Sequence, residues 1–194
     1  MLCLSTASIS QAQVAIKGLA IDMSIDDALT VVNERLSDAL GQKYEIGAPT
    51  PSLFGEAPRG FGLNPLAGSS KQDLTEEDKM MRGLQGLAAL GAMGGAPSAF
   101  IVQADETRKV SKIVLPGYLT DKLFNTADMR AADFAKEILN NYKIPELSPF
   151  SIDIGNSSMS GWEYSSPEGF RIRVFEDKSI EMIQIPKKST RSFD

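Results

Sequence analysis

The stretch from Gly47 to Ser70 constrains this chain most. Pro49, Pro51, Pro58 and Pro65 fall within it, and proline fixes φ and lacks the backbone N–H, so no long helix or central strand is expected there. It reads as a long irregular loop. A second break follows at Gly94-Gly95-Ala96-Pro97. Between the breaks, Thr75 and Asp78 form a helix start, and Met80, Met81, Leu84, Leu87, Ala88 and Gly91 fall on one stripe, which predicts a Met-rich helix over 75–93. Gly83, Gly86 and Gly91 each weaken that helix by about 1 kcal/mol relative to alanine, so it depends on what it docks against. Residues 47–99 therefore read as an insertion.

On either side of the insertion the chain alternates between two periodicities. Ala28, Val32, Leu36, Ala39 and Leu40 recur at helical spacing behind the cap pair Ser24 and Asp27, and Gly41 stops the helix. Lys43 to Ile46 leads out as a short strand. Phe100–Ala104 and Val110–Leu115 read as a hairpin around Asp105 to Lys109. A second helix, Asp128 to Tyr142, turns Ala131, Phe134, Ala135, Ile138 and Tyr142 inward. After a Pro-punctuated loop, Trp162–Tyr164, Phe170–Phe175 and Ile180–Ile185 form a three-stranded meander, and 187–194 is a tail. The predicted fold is α+β. It consists of two helix-then-antiparallel-sheet units, one from 13–46 and 100–120, the other from 121–186, with the first interrupted by the insertion. Asp22-Met23 and Asp128-Met129 open the two helices in parallel, each followed after three residues by Asp27 or Asp133. Aspartate is also favoured at any helix N-terminus by the dipole.

Residues 1–12 carry no charge and end in the small residues of Ser10-Gln11-Ala12. They resemble the end of a secretory signal, although the first basic residue is Lys17. The expectation is a periplasmic or secreted protein; the competing reading is the N-terminal strand of a cytoplasmic one. The single cysteine, Cys3, lies in this segment, and its lipidation would need a longer apolar run before it.

An exported chain with paired helix-then-sheet units resembles the small envelope modules of the β-lactamase-inhibitor-protein and SmpA outer-membrane-lipoprotein type. The likeness covers about 16–46 and 100–185 and rests on element order and the Gly18–Asp27 and Ala127–Ala135 stretches. It implies helices packed on one sheet face and a role in protein–protein contact. The 47–99 insertion departs from that pattern.

Composition narrows the chemistry. With no histidine the usual general base and the usual zinc or iron ligand are missing. With Cys3 in a removable segment there is no thiol nucleophile either. The carboxylates Asp26-Asp27 and Glu76-Glu77-Asp78 sit in first turns of predicted helices, where capping accounts for them. Gly60-Phe61-Gly62 and Gly62–Lys71 fail the dinucleotide and P-loop patterns. The expectation is a non-enzyme without cofactor or metal. A net charge of −5 without a basic block excludes nucleic acid as a partner.

Two surfaces are candidates for binding. A turn centred on Asp177-Lys178 would pair Phe175 with Ile180, Arg173 with Met182 and Arg171 with Gln184, with Ile172, Val174 and Ile183 on the core side. Arg171, Arg173, Phe175 and Met182 then make a face of residue types that interfaces favour. The competing reading packs half of it under the insertion. The second candidate is the stripe Met80, Met81, Leu84 and Leu87, which suits an irregular partner or a membrane surface, or covers the protein's own sheet. Together they predict a module that binds another protein; the alternative is a carrier of a small apolar or lipidic ligand held between sheet and Met-rich helix.

Overall fold

A computed structural model describes residues 14–48, 60–68, 99–154 and 157–185. The expected signal remnant with Cys3, the 75–93 helix and the 187–194 tail lie outside the described residues. The fold is α+β, with helices on one face of an eight-stranded antiparallel sheet. The chain enters through a small hairpin, β1 (Ala15–Ile16) and β2 (Leu19–Ala20). Lys17 and Gly18 form its turn, both at positive φ (53° and 89°). That is the mirror-image turn geometry that suits a two-residue hairpin.

The first helix begins where its cap pair predicts: the Asp27 N–H donates to Ser24 Oγ at 3.0 Å. It runs as α1 (Ile25–Val31), a π-helical turn (Val32–Leu36) and α2 (Ser37–Leu40), ending on Gly41 at φ 71°. Ile25, Ala28, Val32, Leu36 and Leu40 are buried in the core. The neighbouring carboxylates have structural duties, since Asp26 pairs with Arg108 at 2.9 Å and Asp27 completes the cap.

β3 (Tyr44–Gly47) is followed by β4 (Phe61–Pro65), β5 (Ile101–Ala104) and β6 (Val110–Leu115). β4 corrects the sequence reading, which placed Phe61–Pro65 in an irregular loop. Pro65 pairs with Tyr44, at the end of the strand, where a missing N–H breaks little of the ladder. After β6 comes a helix that periodicity missed, α3 (Gly117–Phe124), and then α4 (Ala131–Asn141), within the predicted 128–142 helix. The second half of the sheet is β7 (Ser148–Ile154), β8 (Ser157–Ser165), β9 (Phe170–Phe175) and β10 (Ile180–Gln184). It has one strand more than the predicted meander, because β7 lies in the stretch read as a Pro-punctuated loop.

The two runs of strands meet where β6 pairs with β10, which gives the sheet the order β3-β4-β5-β6-β10-β9-β8-β7. On the helical side, Leu119, Phe134 and Ile138 pack with Ile113, Leu115, Ile172, Val174, Ile180 and Met182 in one cluster. Lys178 ties the α3–α4 connection to the β9–β10 turn. Its Nζ lies 2.6 Å from Asp121 and donates to the carbonyls of Thr126 (2.8 Å) and Ala127 (3.2 Å).

Candidate protein-binding face

Alternation along β9 sorts its side chains cleanly. Phe170, Ile172 and Val174 point into the core, so Arg171, Arg173 and Phe175 point away from the helices. What joins them from β10 depends on register. The Phe175 N–H donates to the Ser179 carbonyl (2.9 Å), and Val174 rather than Phe175 faces Ile180. The register therefore differs by one residue from the sequence reading, and in a strand a one-residue slip exchanges the faces.

The local cause is the turn. Asp177 Oδ1 accepts from the Ser179 N–H (2.9 Å) and hydroxyl (2.6 Å), and Lys178 takes positive φ (66°). Glu176, Asp177 and Lys178 thus make a three-residue loop ending in a left-handed residue. As a result Met182, expected on the contact face, is 1% exposed in the core. Ile183, expected in the core, joins the outer face opposite Arg171, with Glu181 opposite Arg173.

The outer face carries a ladder of charges across four strands. Lys112 on β6 lies 3.1 Å from Glu181 on β10; Glu181 lies 3.6 Å from Arg173 on β9; Arg173 lies 3.0 Å from Glu163 on β8. The guanidinium of Arg173 also sits 5.0 Å from the centre of the Phe150 ring on β7, and Phe150 meets Phe175 edge-to-face at 5.5 Å. Arg173 and Glu181 are mostly covered, at 16% and 13% side-chain exposure. Removing one partner from such a pair strands the other charge. Arg173 is accordingly part of what holds the sheet together.

Arg171 differs. It has no ion pair among the described residues, and its Nε–H is buried without an acceptor. Its cross-strand neighbours are Ser165 and Ile183, neither of which can neutralise a guanidinium. Of the predicted contact residues, then, the structure brings Arg171, Arg173 and Phe175 to one side of β9, buries Phe175 there at 3% exposure, sends Met182 inward, and adds Ile183, Glu163 and Phe150. Met80, Met81, Leu84 and Leu87 lie outside the described residues.

A cleft of ≈ 400 Å³ opens elsewhere, beside the β5–β6 turn, lined by Phe61, Gln103, Asp105 and Thr107 among others. Its carboxylate already holds the turn: Asp105 Oδ1 accepts from the Thr107 hydroxyl (2.7 Å) and the N–H groups of Thr107 (2.9 Å) and Lys109 (3.0 Å). The hydrogen bond from the Thr107 hydroxyl is the largest influence lowering the Asp105 pKa below the usual carboxylate value. Among the described residues no group of His, Cys, Asp and Glu side chains is arranged to hold a metal ion, and no helix is long and apolar enough to cross a membrane.

Compared with protein-family models, curated proteins and solved structures, the chain matches none.

Proposed function

We propose that the chain is an exported binding module that captures another protein on the outer face of its sheet, around Arg171 and Ile183. Arg171 carries the reading: it is the arginine of that face with no countercharge among the described residues. A guanidinium beside an apolar side chain is a combination that interfaces select, because a carboxylate from outside can supply the missing countercharge. The likeness to paired envelope modules supports the same reading, as does a histidine-free composition that leaves little for acid–base catalysis.

The test separates the outer sheet face from the helical side. A photo-crosslinking residue at Ile183 should yield a discrete adduct in the cells that make the protein, and the same residue at Lys136, exposed on α4, should not. Arg171→Glu should abolish the adduct while leaving the unfolding free energy within about 0.5 kcal/mol of the parent. Equal adducts at both positions would sink the assignment. A small molecule retained by the pure protein in native mass spectrometry would favour a carrier instead.

A further inference from the structure

β7 is the last strand of the sheet, and its free side can be worked out residue by residue. In an antiparallel pair, residues alternate between bonding to the neighbour and pointing both backbone groups away from it. The Ser160 carbonyl accepts from the Glu176 N–H on the β9 side (3.2 Å), so Ser160 does not bond to Ser151, which faces it across β7–β8. Ser151 therefore directs its N–H and C=O outward, and so do Pro149 and Asp153 in the same phase. Pro149 has no N–H to lose, which is why a proline is tolerated there. Among the described residues nothing bonds to the outward groups of Ser151 and Asp153. Pro149, Ser151 and Asp153 are exposed, and Phe150 and Ile152 are half-exposed on the outer face.

We infer that β7 pairs antiparallel with β7 of a second copy of this chain, the twofold axis passing through Ile152. That register is selected by the side chains. It sets Ser151 opposite Asp153 of the other copy, so that a hydroxyl meets the strand's lone carboxylate, and each Ser151 and Asp153 N–H meets a carbonyl. On the outer face it sets Ile152 against Ile152, flanked by Phe150. A twofold through Asp153 would bring two carboxylates face to face. One through Ser151 would set the Asp153 carbonyl against a proline that has nothing to donate. One through Phe150 would leave the Asp153 N–H beyond the end of the strand. The pairing is isologous, as a closed dimer requires, and it extends the outer face without using Arg171, so it stands or falls separately from the proposed capture site.

The experiment is sedimentation velocity on the full chain over roughly 1–100 µM, the range in which one pair of strands should associate. The expected result is a monomer–dimer equilibrium whose dissociation constant rises at least about tenfold in Ser151→Pro, which deletes an outward N–H without touching the bonds to β8. In Cys3→Ser/Ile152→Cys, air oxidation should produce a disulfide-linked dimer, because residues facing each other in a pair not bonded together place their Cα atoms about 4.5 Å apart. Cys3→Ser/Ser148→Cys should not, since the two serines lie far from the axis. A chain that stays monomeric at the top of that range overturns the inference. So does a dimer indifferent to Ser151→Pro, or equal cross-linking at 148 and 152; the cysteine pair decides the matter should the proline variant fail to fold.

Discussion

At one edge of the sheet, β3 meets a side chain that imitates a neighbouring strand. Asn33, carried on the π-helical turn, donates to the Tyr44 carbonyl at 2.9 Å and accepts from the Tyr44 N–H at 2.8 Å. At the other edge, β7 turns Ser151 and Asp153 towards no partner among the described residues. Both strands are antiparallel and both have a proline close by, so strand chemistry does not separate them. Tertiary placement does: α1 and its π turn lie beside β3, and no described helix supplies an equivalent amide to β7. An unblocked edge is a template for another chain, and the contrast teaches that one edge is capped at Tyr44 by a side chain while the other has no such cap among the described residues.

The harshest way to break the contrast is to detach the open edge. A Cβ on Gly161 would collide with the Val174 carbonyl oxygen across β8–β9, backbone that cannot swing aside. Gly161→Ala should therefore destabilise the fold by on the order of 3 kcal/mol or more, read as a lower urea midpoint, with amide protection lost from β7 and β8 before β3 and β4. A milder change unblocks the closed edge. Asn33→Ala removes the two hydrogen bonds that the Asn33 amide makes to the Tyr44 backbone and should cost about 1–3 kcal/mol by urea denaturation. Hydrogen exchange at the Tyr44 amide should rise, with Ser151 unchanged.

The smallest effect comes from acid. Because the Asp105 pKa is lowered in the folded protein, chiefly by the Thr107 hydroxyl, its contribution is fully present above the unfolded carboxylate value of about 3.9. It is lost as pH falls through the lower folded value. Below pH of roughly 4 the Thr107 and Lys109 amide resonances should move together, in the half of the sheet that carries the blocked edge, ahead of global unfolding.

Local rules made the first helix and α4 legible but not α3, and the sheet only partly so. Ser24, Asp27 and Gly41 announced the first helix because caps act within a few residues. The stripe of Phe134, Ala135 and Ile138 did the same for α4. β4 and β7 were hidden because Pro65 and Pro149 read as breakers, and only the partner strand reveals that neither position has to donate. The β9–β10 register missed by one residue because a charged lysine, not a glycine, holds the left-handed position of the turn. The Asp177-x-Ser179 spacing was the available signal. That single residue moved Met182 into the core and brought Ile183 out, while the arginines kept their place because β9's own alternation is unambiguous.

The junction of β6 with β10 sets a timetable for the nascent chain. β6 is complete once Leu115 has been made, but its second neighbour arrives only with residues 180–184. Through that interval a β-branched, largely apolar strand has one bare flank, with Lys112 as its only charge. Such a flank recruits strands indiscriminately, so a polypeptide stopped short of Ile180 should precipitate where the finished one stays dispersed.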